Sequence, residues 1–266
     1  MKPSSLYSNN YTILTSIEKN IKEEWINRRN NEDILNLKTI EMLPWKLRHN
    51  LSLFPNNFID LGEIKENYDI SELNAQYLEL IEKEDCRERE ILNFINHTPA
   101  YHVVGSILCD NYPFGHHDLY LFKEMWLGNQ YRTDYVMIGK GSGGYEFVLI
   151  EFEEPDGRIT LKNGHFGQAF RNGAYQVEDW NTWMDSHFST FIQDLNLVKG
   201  EGELPKEFRN YDSSRFHYVV VAGRRSDFTD ITYVSRRKKL RENNILMLHH
   251  DNLYDSSKKL EERNSF

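Results

Sequence analysis

Arg132-Thr133-Asp134-Tyr135-Val136-Met137-Ile138 is followed, after Gly139-Lys140-Gly141-Ser142-Gly143-Gly144, by Tyr145-Glu146-Phe147-Val148-Leu149-Ile150-Glu151-Phe152-Glu153. Two runs rich in β-branched and aromatic residues around a glycine-rich connection predict a β-hairpin. The connection is not a phosphate loop, because no Gly-Lys-Ser/Thr closes it before a helix. In the second run both faces are apolar up to Glu151, as in a central strand covered on both sides. The acids at its end need partners, since a buried unpaired charge is costly. Pairing Ile138 with Tyr145 sets Asp134 opposite Leu149. Asp134, Glu151 and Glu153 then share one face within diagonal reach, and a slip of one residue would separate them. Such a trio holds a hard divalent cation better than its members hold one another, and Mg2+ is bound in this way, by one or two carboxylates with waters and phosphate oxygens.

Downstream, Lys162 in Leu161-Lys162-Asn163-Gly164 is close enough to fold back, with Ile159-Thr160-Leu161 as the returning strand and Gly157 and Gly164 flanking it. Gln168 to Met184 reads as a helix, with Ala169, Gly173, Gln176, Trp180 and Trp183 on one face. An amide on that stripe is costly unless it bonds something, which marks Gln176. Acids for a metal, a lysine for the attacking water or the phosphate, and a polar helix residue to orient them are the parts of a metal-dependent phosphodiesterase.

Further out, Phe216 to Ala222 is a strongly apolar strand closed by Gly223, Ser235 to Asn243 a charged helix and Ile245 to His249 another strand, the signature of a parallel crossover. Upstream, Glu90 to Ile95 is helical until Pro99, Tyr101 to Leu108 is strand-like, and Leu119 to Trp126 is apolar enough for a strand. Before residue 86 the chain is rich in Asn, Glu and Ile/Leu. Helical spacing recurs there in Ile13-Ile17-Ile21-Trp25 and Leu73-Tyr77-Leu80-Ile81, and turns break Leu43 to Leu61. The predicted organisation is a helical accessory region over 1–85 and an α/β domain over 86–266.

Composition narrows the function. A balance of 32 basic and 41 acidic residues, net −9, excludes general coating of nucleic acid, so any DNA contact is local. Arg224 and Arg225 at a strand end are the preferred phosphate contacts. The run Arg236-Arg237-Lys238-Lys239-Arg241 crowds the next helix and reads either as a solvated face or as further phosphate contacts. Two cysteines, Cys86 and Cys109, support neither a disulfide framework nor a zinc site alone. His116-His117 and His249-His250 lack a third ligand at useful spacing and are read as surface or turn histidines. No apolar run of about 18 residues suggests a membrane span, and no secretory signal is evident, so a cytoplasmic protein without membrane contact is expected.

Arg132-Thr133-Asp134-Tyr135, Leu149-Ile150-Glu151-Phe152-Glu153-Glu154-Pro155, Lys162-Asn163-Gly164, Ala174-Tyr175-Gln176-Val177-Glu178-Asp179-Trp180, Val221-Ala222-Gly223-Arg224-Arg225 and Ile245-Leu246-Met247-Leu248-His249-His250-Asp251-Asn252-Leu253 together resemble the DUF4263 nuclease domain of the Shedu antiphage family, a branch of the PD-(D/E)xK superfamily. The resemblance runs from about Glu88 to Phe266. It implies a PD-(D/E)xK restriction-endonuclease-like core, a mixed sheet flanked by helices behind a mostly helical N-terminal region. It implies Asp134 as the PD-type aspartate, Glu151 as the first acid of the E-x-K position and Gln176 as the helix glutamine. From the first core helix it implies Glu90, with Glu88 second. Glu153 stands where the pattern has lysine, and Lys162 is the migrated candidate.

The expected function is a DNA endonuclease or nickase in antiphage defence, a homo-oligomer using Mg2+ (or Mn2+) and no small organic cofactor. Expected catalytic residues are Asp134, Glu151, Glu153, Lys162 and Gln176, and the metal falls to Asp134, Glu151, Glu153 and Glu90. Phage or plasmid DNA is met by Arg224, Arg225 and Arg132. The alternatives are a catalytically inactive nuclease-fold module that binds DNA or a partner protein, and a structural or regulatory subunit.

Overall fold

A computed structural model describes residues 1–31, 43–156, 159–161 and 165–266. Its centre is a mixed five-stranded sheet, built on the hairpin of β4 (Tyr135–Gly141) and β5 (Gly144–Phe152). β1 (Asp118–Lys123) pairs antiparallel with β4. On the other side β6 (Phe216–Val221) and β7 (Ile245–Leu248) follow β5 in parallel, joined by helix α9 (Asp230–Asn243) as the predicted crossover. β2 (Trp126–Leu127) and β3 (Tyr131–Arg132) form a small separate ribbon before β4.

The hairpin register differs from the predicted one. Ile138 pairs with Phe147 and Tyr145 with Lys140, a shift of two residues. The cause lies in the glycines. Gly139 belongs to the strand, not the loop: a Cβ there would meet the Phe114 ring at 2.7 Å and the Gly115 Cα at 3.2 Å. β4 therefore continues to Gly141, and Ser142-Gly143 alone make the turn, ahead of Gly144 at φ +104. An even shift keeps every side chain on its predicted face.

Tyr101 to Leu108 is helical, not a strand: α6 (Tyr101–Gly105) and α7 (Ile107–Asn111) carry it, with the Ser106 N–H on the His102 carbonyl at 2.8 Å. Every residue from Tyr101 to Leu108 is buried. A continuous apolar run does not distinguish a buried helix from a buried strand. The predicted Leu119–Trp126 strand is broken at Glu124, where φ is +49.

Two apolar layers sandwich the sheet. On one face lies α8 (Gln168–Asn196), which continues past the predicted Met184 through a kink at His187 and buries Phe170, Val177, Trp180, Met184 and Phe191 against Val136, Leu149 and Val220. The other face is covered by α4 (Ile70–Ile81), α5 (Glu88–His97), α6 and α10 (His250–Lys259). Leu61, Leu73 and Tyr77 share that core with Ile91, Val104 and Leu253, so the division at 85/86 passes through one continuous core. The segment at Asn57–Ile59 also bonds β1, through Ile59 N–H to the Leu119 carbonyl at 2.9 Å and Leu121 N–H to the Asn57 carbonyl at 2.8 Å. α1 (Ser16–Asn31) is helical as its spacing predicts, but Ile13, Ile17 and Ile21 face outward while Lys22 is buried against Asn50 and Glu201.

Candidate carboxylate site

The acids gather where β4 begins and β5 ends. One step beyond the Tyr135–Ile150 pair, the register sets Asp134 opposite Glu151. Asp134 is held by its surroundings: its carbonyl accepts the Glu124 N–H at 2.8 Å, and its Oδ2 accepts the Phe152 N–H at 2.7 Å. Glu151 and Glu153, both buried, point to the α8 side of the sheet, as the alternation along β5 requires. Gln176 Nε2 donates to Glu151 Oε1 at 2.5 Å. One helical turn earlier on the same face, Gly173 lets the helix approach: a Cβ there would meet Val220 Cγ1 at 2.7 Å and Glu153 Cγ at 3.3 Å. Gln176 is exposed at the margin of the stripe while Val177 and Ala174 fill it, so its amide is spent on Glu151 and not on the core.

Burial pushes all three carboxyls upward. For Glu151, after desolvation, the main causes are the charges of Asp134 and Glu153. Glu153 is raised to about 8, by burial and then by Glu88, Asp134 and Glu154. No described lysine or arginine forms an ion pair with any of the three, and the Arg132 charge offsets part of the rise at Asp134. Arg132 itself is exposed, 3.4 Å from Glu124 and over the Trp126 ring.

The first-helix acid at the site is Glu88, in place of the preferred Glu90. Glu88 raises Asp134, Glu151 and Glu153, whereas Glu90 turns away and pairs with Lys83 at 3.0 Å. Helical spacing held the signal: Glu88 lies three residues before Ile91 and seven before Ile95, the buried face of α5.

Lys162 lies outside the described residues, as do Gly157 and Gly164. Beside Lys162, Leu161 N–H bonds the His165 carbonyl at 2.7 Å, Thr160 bridges Phe166, and Ile159 is buried under Gly223. Arg224 and Arg225 are already engaged. Arg224 makes a two-pronged bond to Asp251 at 3.0 and 2.9 Å and a third to the Ile81 carbonyl, and Arg225 pairs with Asp255.

Neither histidine of the second pair is at the surface. His249 caps α10, and His250 is fully buried; burial pushes both imidazoles down to about 4. His116 and His117 are exposed beside Lys140, at the far end of β4 from Asp134.

The donors that the acids offer are all oxygens, the chemistry that suits Mg2+ or Mn2+. Among the described residues, no group of three or more His, Cys, Asp or Glu side chains converges tightly enough to hold a metal ion unaided. Asp134 and Glu151, opposite each other at the strand ends, are the two that would offer carboxylate oxygens to such a cation.

Fold and site together define an α/β protein whose central hairpin ends in a desolvated carboxylate cluster, faced by a helix glutamine. Over residues 46–254 the chain matches the family described as Shedu protein SduA, C-terminal. The match spans most of the sequence, and the chain belongs to the Shedu family, which suggests a role in antiphage defence. Among curated proteins no match was found.

Proposed function

We propose that the chain is a metal-dependent DNA endonuclease or nickase of the PD-(D/E)xK type, acting in antiphage defence. The observation that carries this reading is the set of three carboxyls at one sheet end, the buried Glu151 and Glu153 and the half-buried Asp134, with the Gln176 amide on Glu151 and no described cation paired to them. Such a set either keeps protons or takes a cation. Asp134 and Glu151 would hold Mg2+ or Mn2+; when bound, it supplies Lewis-acid stabilisation of the charge that develops on the scissile phosphate. The Phe152 N–H and Gln176 orient the two carboxylates, each through one oxygen. Glu153 and Glu88 add negative charge that favours the cation. Lys162 is the proposed phosphate- or water-directed lysine.

The phosphate backbone is assigned to α9. Arg224 and Arg225 spend their donors on Asp251, Asp255 and Ile81, and Lys239 and Arg241 pair with Glu178 and Glu242. Arg236, Arg237 and Lys238 form no ion pair with a described residue. The first turn of α9 also touches the segment that leaves the acids, through Thr232 and Thr160.

Plasmid incubated with Mg2+, Mn2+ or EDTA tests the reading. Metal-dependent nicking that is lost in Asp134→Asn and Glu151→Gln is expected. Salt-sensitive binding without cleavage would favour an inactive nuclease-fold module, the reading that Glu153 at the lysine position supports. Absence of both would remove the nucleic-acid function. A Lys162→Ala variant that cleaves at the wild-type rate would reject the lysine assignment alone. The proposed homo-oligomer is checked by light scattering, and a strict monomer would overturn it.

A further inference from the structure

Behind the acids, on the opposite face of the sheet, runs a buried polar line that the proposed chemistry does not use. The Tyr77 hydroxyl lies 3.0 Å from His250 Nδ1, and His250 Nε2 lies 2.9 Å from the Glu153 carbonyl oxygen. Both side chains are fully buried. A carbonyl only accepts, so Nε2 carries the proton; Nδ1 is then the acceptor and the tyrosine hydroxyl donates. Every polar atom of the pair is satisfied, in one tautomer. Phenylalanine and leucine would fill the same space without desolvating a hydroxyl and an imidazole, so packing does not require this pair.

Its end point explains it. Glu153 is the first residue beyond β5, and its N–H still bonds the Val221 carbonyl at 2.8 Å. After that the ladder stops. Three bonds then tie the ends of β5, β6 and β7 together: Glu153 carbonyl to His250 Nε2, His250 N–H to the Gly223 carbonyl at 3.0 Å, and Gly223 N–H to the Glu154 carbonyl at 3.0 Å. Gly223 sits at φ +68, and a Cβ there would collide with Ile159 at 2.1 Å. With the Glu153 carbonyl held on one face of the sheet, its side chain is directed to the other, beside Glu151 and Gly173.

We infer that His250, set in its tautomer by Tyr77, is a positioning residue that fixes the Glu153 peptide and so the aim of the carboxylates toward a divalent cation. The inference rests on the metal-site reading for its consequence, but not for its geometry. It also makes α4, in the N-terminal part of the chain, a structural support of the site.

The test uses the full chain with His250→Gln, whose amide can still donate to the carbonyl, His250→Leu, which cannot, and Tyr77→Phe. Hydrogen exchange over residues 150–156, without metal, is expected to accelerate at least tenfold in His250→Leu, to stay near wild type in His250→Gln and to fall between them in Tyr77→Phe. Half-saturation for Mn2+, read from the thermal shift, is expected to weaken about tenfold in His250→Leu and to recover in His250→Gln. A folded His250→Leu with exchange and Mn2+ midpoint within twofold of wild type overturns the inference. If His250→Leu does not fold, unchanged exchange in Tyr77→Phe overturns it. Should the wild type show no Mn2+ shift while the exchange differences hold, the metal reading falls and the positioning of the Glu153 peptide stands.

Discussion

Glu153 and Arg224 show how far a residue's role depends on what surrounds its charge. Glu153 has its carboxyl raised to about 8 from an ordinary 4.5. A raised acid binds its proton more tightly in the folded than in the unfolded chain, so it costs stability as pH climbs from about 4.5 to about 8. In EDTA, Glu153→Gln is expected to flatten the fall in melting temperature across that window, and Mn2+ should stabilise the wild type more at pH 8 than at pH 5.5. Identical pH profiles for variant and wild type would show that Glu153 ionises freely. Arg224, by contrast, is a clamp. Its bidentate bond to the largely buried Asp251 holds that carboxyl down to about 2 and ties the β6 exit to α10 and to the end of α4. Arg224→Ala leaves Asp251 without its main partner and should cost about 2 kcal/mol in urea unfolding. A weakened DNA affinity in that variant would therefore report lost structure before lost contact.

Among the elements, α8 positions the site. Its apolar face anchors it through Phe170, Trp180 and Phe191, and Gly173 brings its backbone against Val220 and Glu153, which sets Gln176 over Glu151. Alanine at 173 would gain about 1 kcal/mol of helix propensity. Its Cβ would also overpack a stiff, fully buried valine, typically costing about 1–3 kcal/mol. Gly173→Ala is thus expected to lower stability overall and to push α8 off the acids, seen as a lower denaturant midpoint with an unchanged slope. A stabilised variant would mean that the helix can move without cost.

For the whole molecule, a net charge of −9 leaves no general attraction for a polyanion. On the proposed reading, binding rests on a few cations that pair with no described acid, and Arg237 and Lys238 of α9 are among them. In a Glu151→Gln background, where cleavage is removed, Arg237→Ala with Lys238→Ala is expected to lower the slope of log affinity against log salt by about two units, one per phosphate contact. Arg225→Ala should leave it unchanged. A reversal of those two results would return the groove to the β6 exit.

Sequence alone determined the elements with a local cause. The β4–β5 hairpin, the parallel crossover through α9 and the shared face of Asp134, Glu151 and Glu153 follow from side-chain period and turn residues, and the face survived a register error because the error was even. The fate of a side chain that needs a distant partner was not legible. Tyr101–Leu108 is helical because the core closes around it, and Glu88 outranks Glu90 because α5 docks on its Ile91 face. Arg224 is claimed by Asp251, twenty-seven residues on. His250, read as a turn residue, is buried between Tyr77 and the Glu153 carbonyl, positions that lie 173 and 97 residues away. Periodicity records which way a residue points within its own element; only packing decides what it meets there.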